Sequence, residues 1–211
     1  MDIPLWLWYY ADKVSRNFDK SHDMYHFVNT YTYAKQIIYE DYKDIAIIPD
    51  ISIEDGRKIV YHASFCHDLI DGKYMDVKTA LGELRQVFIE NGYNPEHLEI
   101  ILFLINNMSF SKQRLGNQNI PEKYSLALNI VSDADKLDAY RIERIVTYQN
   151  TKNTDPEATV KWIKTILVKR VLEYREKWLK TPYAMKISEK MHNDVVEYVE
   201  KNLKALDMFD Y

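Results

Sequence analysis

The sequence holds a single cysteine, Cys66, among its 211 residues. An intramolecular disulfide and a cysteine-rich zinc site are therefore both excluded. Glycine (5) and proline (6) are scarce, which leaves little material for an all-β fold or a glycine-rich phosphate loop. Positive charge is not in excess either: 28 Lys and Arg face 32 Asp and Glu, a net −4 with histidine neutral. That balance advertises no general basic face and argues against nucleic acid or anionic lipid as partners. No apolar run is long enough to span a bilayer. The N-terminal run Ile3-Pro4-Leu5-Trp6-Leu7-Trp8-Tyr9-Tyr10 resembles a signal core in composition only. It lacks a basic lead and continues into Asp12, Lys13 and Arg16 without a small-residue cleavage site. A first helix with its aromatics packed on the body of the domain is expected, in preference to a membrane-surface anchor. A cytoplasmic, reducing location fits these absences.

What is present reads as helix. Hydrophobic residues (46%) and charged residues (28%) are in ordinary globular proportion, so disorder is not expected. Ser52-Ile53-Glu54-Asp55 resembles a capping box. Asn94-Pro95, Asp155-Pro156 and Thr181-Pro182 each set a capping side chain before a proline that suits the first helical position. Gly92 marks a stop for a helix begun near Val77. Apolar residues recur at helical spacing between these marks, as in Phe27/Val28, Tyr31, Ala34 and Ile37/Ile38. Helices are expected near 4–17, 23–41, 53–69, 77–91, 95–107, 122–136, 138–150, 157–179 and 182–204, with a polar surface loop from Ser109 to Pro121. The predicted fold class is all-α. One domain spans 1–211, with a core at about 21–140 and a helical extension at about 155–205.

Three places can do chemistry. His22 and His26 lie four apart, on one face of an expected helix. His67 and Asp68 are adjacent near the end of an apolar helix, and Asp133-Ala134-Asp135-Lys136-Leu137-Asp138 follows a run of core residues. Charged groups against apolar helix faces are expensive unless paired or bound to metal. A common explanation is a metal site assembled from three helices, and imidazole with carboxylate suits a first-row divalent ion or Mg. Residues adjacent on a helix point roughly 100° apart. Both members of the His-Asp doublet can reach one ion if the helix ends or bends there, and Gly72 is consistent with such an ending.

In order and spacing, these motifs resemble the HD-domain metal-dependent phosphohydrolases, in particular the small stand-alone proteins of that superfamily. Ser-His-Asp-x-x-His reads here as Ser21 to His26, His-Asp-x-x-Asp-x-Lys as His67 to Lys73, and Asp-Ala-Asp-[Lys/Arg]-Leu-Asp-Ala as Asp133 to Ala139. The likeness covers roughly 21–140, with a weaker echo from Thr181 to Leu203 that includes Met191-His192. It implies an HD-type helical bundle and His26, His67, Asp68 and Asp135 as ligands of one divalent ion (Mn, Fe, Co, Ni, Zn or Mg). Asp133 and Asp138 are then supporting or capping groups, and His62, His97 and His192 lie outside the motifs.

The implied activity is hydrolysis of a phosphate mono- or diester, a small nucleotide or related metabolite. Asp68 is placed at the catalytic centre, Asp71 is a proton acceptor or water-orienting group unless it merely caps the turn, and Lys73 faces the developing negative charge. His22, Lys112 and Arg114 are candidate substrate contacts. One departure stands out: where related proteins place histidine in Ile-x-x-His-Ser-Phe, this chain has Met108, a poor ligand for a hard ion. One metal is therefore favoured over two. A non-catalytic scaffold that binds a phosphorylated ligand or a partner protein is the rival reading, and a homo-oligomer is compatible with either.

Overall fold

The computed structural model describes residues 3–116, 119–152 and 155–207, and among these the regular structure is entirely helical. The elements are α1 (Leu5–Ser15), α2 (Met24–Asp41), α3 (Ile53–Cys66), α4 (Val77–Glu90), α5 (Pro95–Asn107), α6 (Phe110–Leu115), α7 (Glu122–Ala139), α8 (Ile142–Lys152), α9 (Pro156–Trp162) and α10 (Pro182–Asp207). Between α9 and α10 the chain runs on as two π-helical segments, Ile163–Val171 and Tyr174–Trp178.

Helices α2, α3 and α7 pack on one another, and α5 lies against α3 and α7. α1 packs on α2 and α4, while α10 closes over α2, α7, α8 and the π-helical segments. The α2 stripe is buried as its spacing predicts, with Phe27, Tyr31, Ala34, Ile37 and Ile38 all inside. In α1, Leu7 and Ala11 are buried, Trp6 meets Phe88 edge-on at 5.0 Å, and Trp8 stacks on Phe65 at 5.7 Å. No helix among the described residues is long and apolar enough to cross a membrane.

Most of the punctuation acts as expected. Ser52, Asn94 and Asp155 accept backbone N–H groups at the starts of α3, α5 and α9. Gly92 takes a positive φ of 69°, and the Gly92 and Tyr93 N–H groups donate back to Ile89 and Phe88 carbonyls. That is the Schellman ending, with Tyr93 packed edge-on against Phe88. Three expectations need correction. The Ser109–Pro121 stretch is not wholly loop: Ser109 caps α6, which ends at Gly116 with φ 67°, and Phe110 packs against Tyr174 and Trp178. A short helix with one aromatic anchor carries no apolar period long enough to read. Thr181 does not cap α10, because its hydroxyl donates to Asp133; the Tyr183 N–H is taken instead by Asp41 of α2. His22 is not on a helix, since Asp23 caps α2 by accepting from Tyr25 and His26 N–H, so the chain at residue 22 is still outside.

Candidate metal centre

Each proposed ligand is delivered by a helix end or a core-facing helix. His26 sits in the first turn of α2, fixed by the Asp23 cap. α3 stops at Cys66, earlier than its apolar pattern suggests. The chain then tightens into turns in which Leu69 N–H donates to the Cys66 carbonyl and Asp71 N–H to that of Asp68. This ending lets His67 and Asp68 face the same space. Asp135 and Asp138 come from α7, three residues apart and so on one face.

His26, His67 and Asp135 converge, and Asp68 lies against both histidines. His26 Nε2 stands 2.9 Å from His67 Nε2, 3.1 Å from Asp68 Oδ2 and 3.6 Å from Asp135 Oδ1. His67 Nε2 stands 3.4 Å from Asp68 Oδ2 and 3.6 Å from Asp135 Oδ1. The ligand atoms of His26, His67 and Asp135 all lie within 4.8 Å of one another, a group that could hold a metal ion. Both histidines are buried, and the two carboxylates are partly so.

The far side of each ring is already occupied. His26 Nδ1 donates to buried Asp138 at 2.7 Å, and His67 Nδ1 donates to the Ser64 carbonyl at 2.8 Å. Both Nε2 atoms thereby point at each other and at two carboxylates, and each is an acceptor whenever its ring is neutral. A single proton can bridge only one pair of these atoms, whereas one cation could serve His26, His67 and Asp135 together. Metal bonds of about 2.0–2.2 Å put neighbouring ligand atoms about 3.0–3.4 Å apart, and the separations here run from 2.9 to 3.6 Å. The donor set therefore fits a divalent ion.

Charge within the cluster is mutually supporting. Burial works against the charged form of His67, but the Asp68 carboxylate, with help from Asp135, holds its imidazole well above the ordinary value. Burial likewise opposes ionisation of Asp68 and Asp135, yet the two histidines hold both carboxyls below the usual range. Arg144 of α8 adds a fixed positive charge. Its Nη2 lies 3.4 Å from His26 Nε2 and its Nη1 3.8 Å from Asp135 Oδ1, while Nε donates to the Ser21 carbonyl at 2.9 Å.

The remaining expected site residues divide: His22 and Lys73 line one cavity, and Asp71, Lys112 and Arg114 do not. Asp71 accepts the Lys73 N–H at 2.9 Å and pairs with Lys73 Nζ at 3.3 Å, so its carboxylate holds the turn. Lys73 is exposed but lines a cavity of about 250 Å³ together with His22, Arg144 and Arg170. Lys112 is tied to Asn106, and exposed Arg114 and Lys112 are both absent from that lining. His22 Nδ1 is held at 2.9 Å by Asp19, which also accepts from the Ser21 hydroxyl and from Tyr74 Oη. Burial pushes the His22 imidazole below its ordinary value, and Asp19 sets the edge it turns toward His26. Met108 is buried at the end of α5. His62 bonds Tyr93, and His192 lies beside Tyr140.

Sequence reasoning missed Arg144, Asp19, Tyr74 and Arg170. Only Asp19 carried a signal, its closeness to Ser21-His22; the others depend on how α8, the turn after α3 and the π-helical segment pack.

No family model matches the chain, and no curated protein does. Solved structures do resemble it. A Lactobacillus plantarum protein from a structural genomics programme aligns over 100% of both chains at 20% identity, with a TM-score of 0.71. Bacillus subtilis YpgQ aligns over 94% of this chain and 96% of its own at 19% identity, with a TM-score of 0.63. Its selenomethionine form gives 21% identity, 94% and 97% coverage and a TM-score of 0.65. At such identities the likeness establishes the all-helical fold and nothing about activity.

Proposed function

We propose that the protein is a metal-dependent phosphohydrolase of the HD type, acting on a phosphate mono- or diester of a small nucleotide or related metabolite. The observation that carries the reading is the convergence of His26, His67 and Asp135, with Asp68 against both imidazoles, whose Nδ1 partners turn both Nε2 atoms inward. His26, His67, Asp68 and Asp135 would hold one divalent cation, with Asp138 orienting His26 and the Ser64 carbonyl orienting His67. When bound, such an ion supplies Lewis acidity, which lowers the pKa of water and polarises a phosphoryl oxygen.

The chain's own groups do the rest. In the hydrolysis, an oxygen of water bonds to phosphorus, the ester P–O bond breaks, and the departing alcohol takes a proton. Arg144, beside His26 and Asp135, faces the negative charge that builds on the phosphoryl oxygens. His22, fixed through Nδ1, lines the adjoining cavity where its ring can contact substrate or water.

His67→Ala and Asp68→Ala are each expected to lose bound metal and phosphoesterase activity together. Elemental analysis of purified protein, then turnover of a phosphoester panel with Mn, Ni, Co and Mg, measures both. Full metal occupancy in both variants would reject the ligand set. Ligand binding without turnover under every metal would favour the non-catalytic scaffold.

A further inference from the structure

The cavity beside the cluster has two kinds of wall. Arg144 and Arg170 contribute guanidinium groups, with Lys73 exposed at the same cavity. Tyr148, Trp162, Ile166 and Leu167 contribute apolar surface. Arg144 also borders His26 and Asp135, so the cavity shares this residue with the proposed reaction centre, although none of the four proposed ligands lines it.

Arg170 is built into place. It comes from the π-helical segment Ile163–Val171, donates from Nε to Tyr174 Oη at 2.6 Å, and lies over the Phe110 ring at 4.8 Å. The carboxylates of Asp135 and Asp68 act on its charge, yet it makes no ion pair with any described residue. A guanidinium held by one nitrogen keeps its terminal amino groups for a planar, two-oxygen acceptor such as phosphate.

The aromatic wall is equally specific. Tyr148 and Trp162 stack at 5.4 Å with only 20° between their planes. Trp162 is 8% exposed, and its buried Nε1–H has no acceptor. A buried indole donor ordinarily finds a partner, and this one has none among the described residues. Cations next to a flat apolar face match a phosphorylated molecule that carries a planar ring.

We propose that this cavity, whose phosphate assignment rests on the phosphohydrolase reading, binds a phosphate ester of a flat aromatic group. Arg144 and Arg170 hold the phosphate, and the ring lies on the Tyr148–Trp162 pair. Arg170 and Tyr148 are thus specificity-determining residues supplied by the helices that follow the core motifs.

Binding tests this without turnover. Titration calorimetry on the full chain, dialysed against chelator, compares phenyl phosphate, propyl phosphate and inorganic phosphate. Phenyl phosphate is expected to bind about three- to tenfold more tightly than propyl phosphate, the range that ring packing supplies. Tyr148→Leu should erase that preference and leave inorganic phosphate unchanged, while Tyr148→Phe should keep it. Arg170→Gln should weaken all three probes by about tenfold or more and preserve the ratio between the two esters. Equal binding of the two esters by the natural chain, or a ratio unmoved by Tyr148→Leu, overturns the proposal. So does unaltered phosphate binding in Arg170→Gln. Should these affinities behave as expected while no phosphoester is turned over, the cavity assignment stands and the hydrolase reading falls.

Discussion

At the scale of single residues, orientation matters more than identity. Asp138 and Asp135 are the same side chain three positions apart, but Asp138 is buried and holds His26 Nδ1 while Asp135 faces the Nε2 atoms. Asp19 plays a similar holding part for His22. Burial opposes its ionisation, but hydrogen bonds from Ser21, Tyr74 and His22 outweigh this and hold its carboxyl well below the usual range. A carboxyl depressed in the folded state stabilises the fold above its unfolded pKa of about 3.9 and stops doing so as pH falls further. Urea midpoints taken from pH 6 down to pH 3 should therefore decline less steeply for Asp19→Asn than for the natural chain. Parallel declines would show that these hydrogen bonds contribute nothing to acid stability. The motif positions were legible at this scale, because the residue types stand in order. Their partners were not, because Asp19–Tyr74 and His26–Asp138 bridge 55 and 112 positions.

At the scale of helices, local signals set most boundaries. Capping residues and apolar spacing located α2 to α5 within a few residues, since both act through neighbours in the chain. The start of α10 escaped this logic. Asp133 of α7 accepts the N–H groups of Lys180 and Thr181 at 2.8 and 2.7 Å and the Thr181 hydroxyl at 3.0 Å, pinning the chain before α10. Burial raises its pKa, with Lys136 pulling the other way. Asp133→Ala should lower unfolding free energy by about 2–3 kcal/mol, since it strands buried donors, and Thr181→Ala by about 1 kcal/mol. Urea denaturation measures both, and an Asp133→Ala value within experimental scatter of the natural protein would remove the pin from the account.

At the scale of the whole molecule, the cluster joins α2, the turn after α3, and α7, the helices that pack together at the centre of the fold. A cation held there favours only the folded chain. At a free concentration a hundred times its Kd it should add about 2.7 kcal/mol. For a chain of this length that corresponds to a melting shift of about 5–10 °C. Differential scanning fluorimetry with Mn or Ni should show the rise in the natural protein and none in His26→Ala. A shift of equal size in that variant would place the cation elsewhere.

The sequence by itself determined the helical class, most helix ends, the absence of a disulfide framework and the three motif segments. Those follow from composition and from contacts a few residues apart, which the chain cannot avoid making. Only the tertiary structure decided that His26 and His67 bring their Nε2 atoms to 2.9 Å, that Arg144 and Arg170 rather than Lys112 and Arg114 line the adjoining cavity, and that Asp133 ties α7 to α10. Each of these depends on where distant helices cross, and that is fixed by the packing of side chains across the whole core.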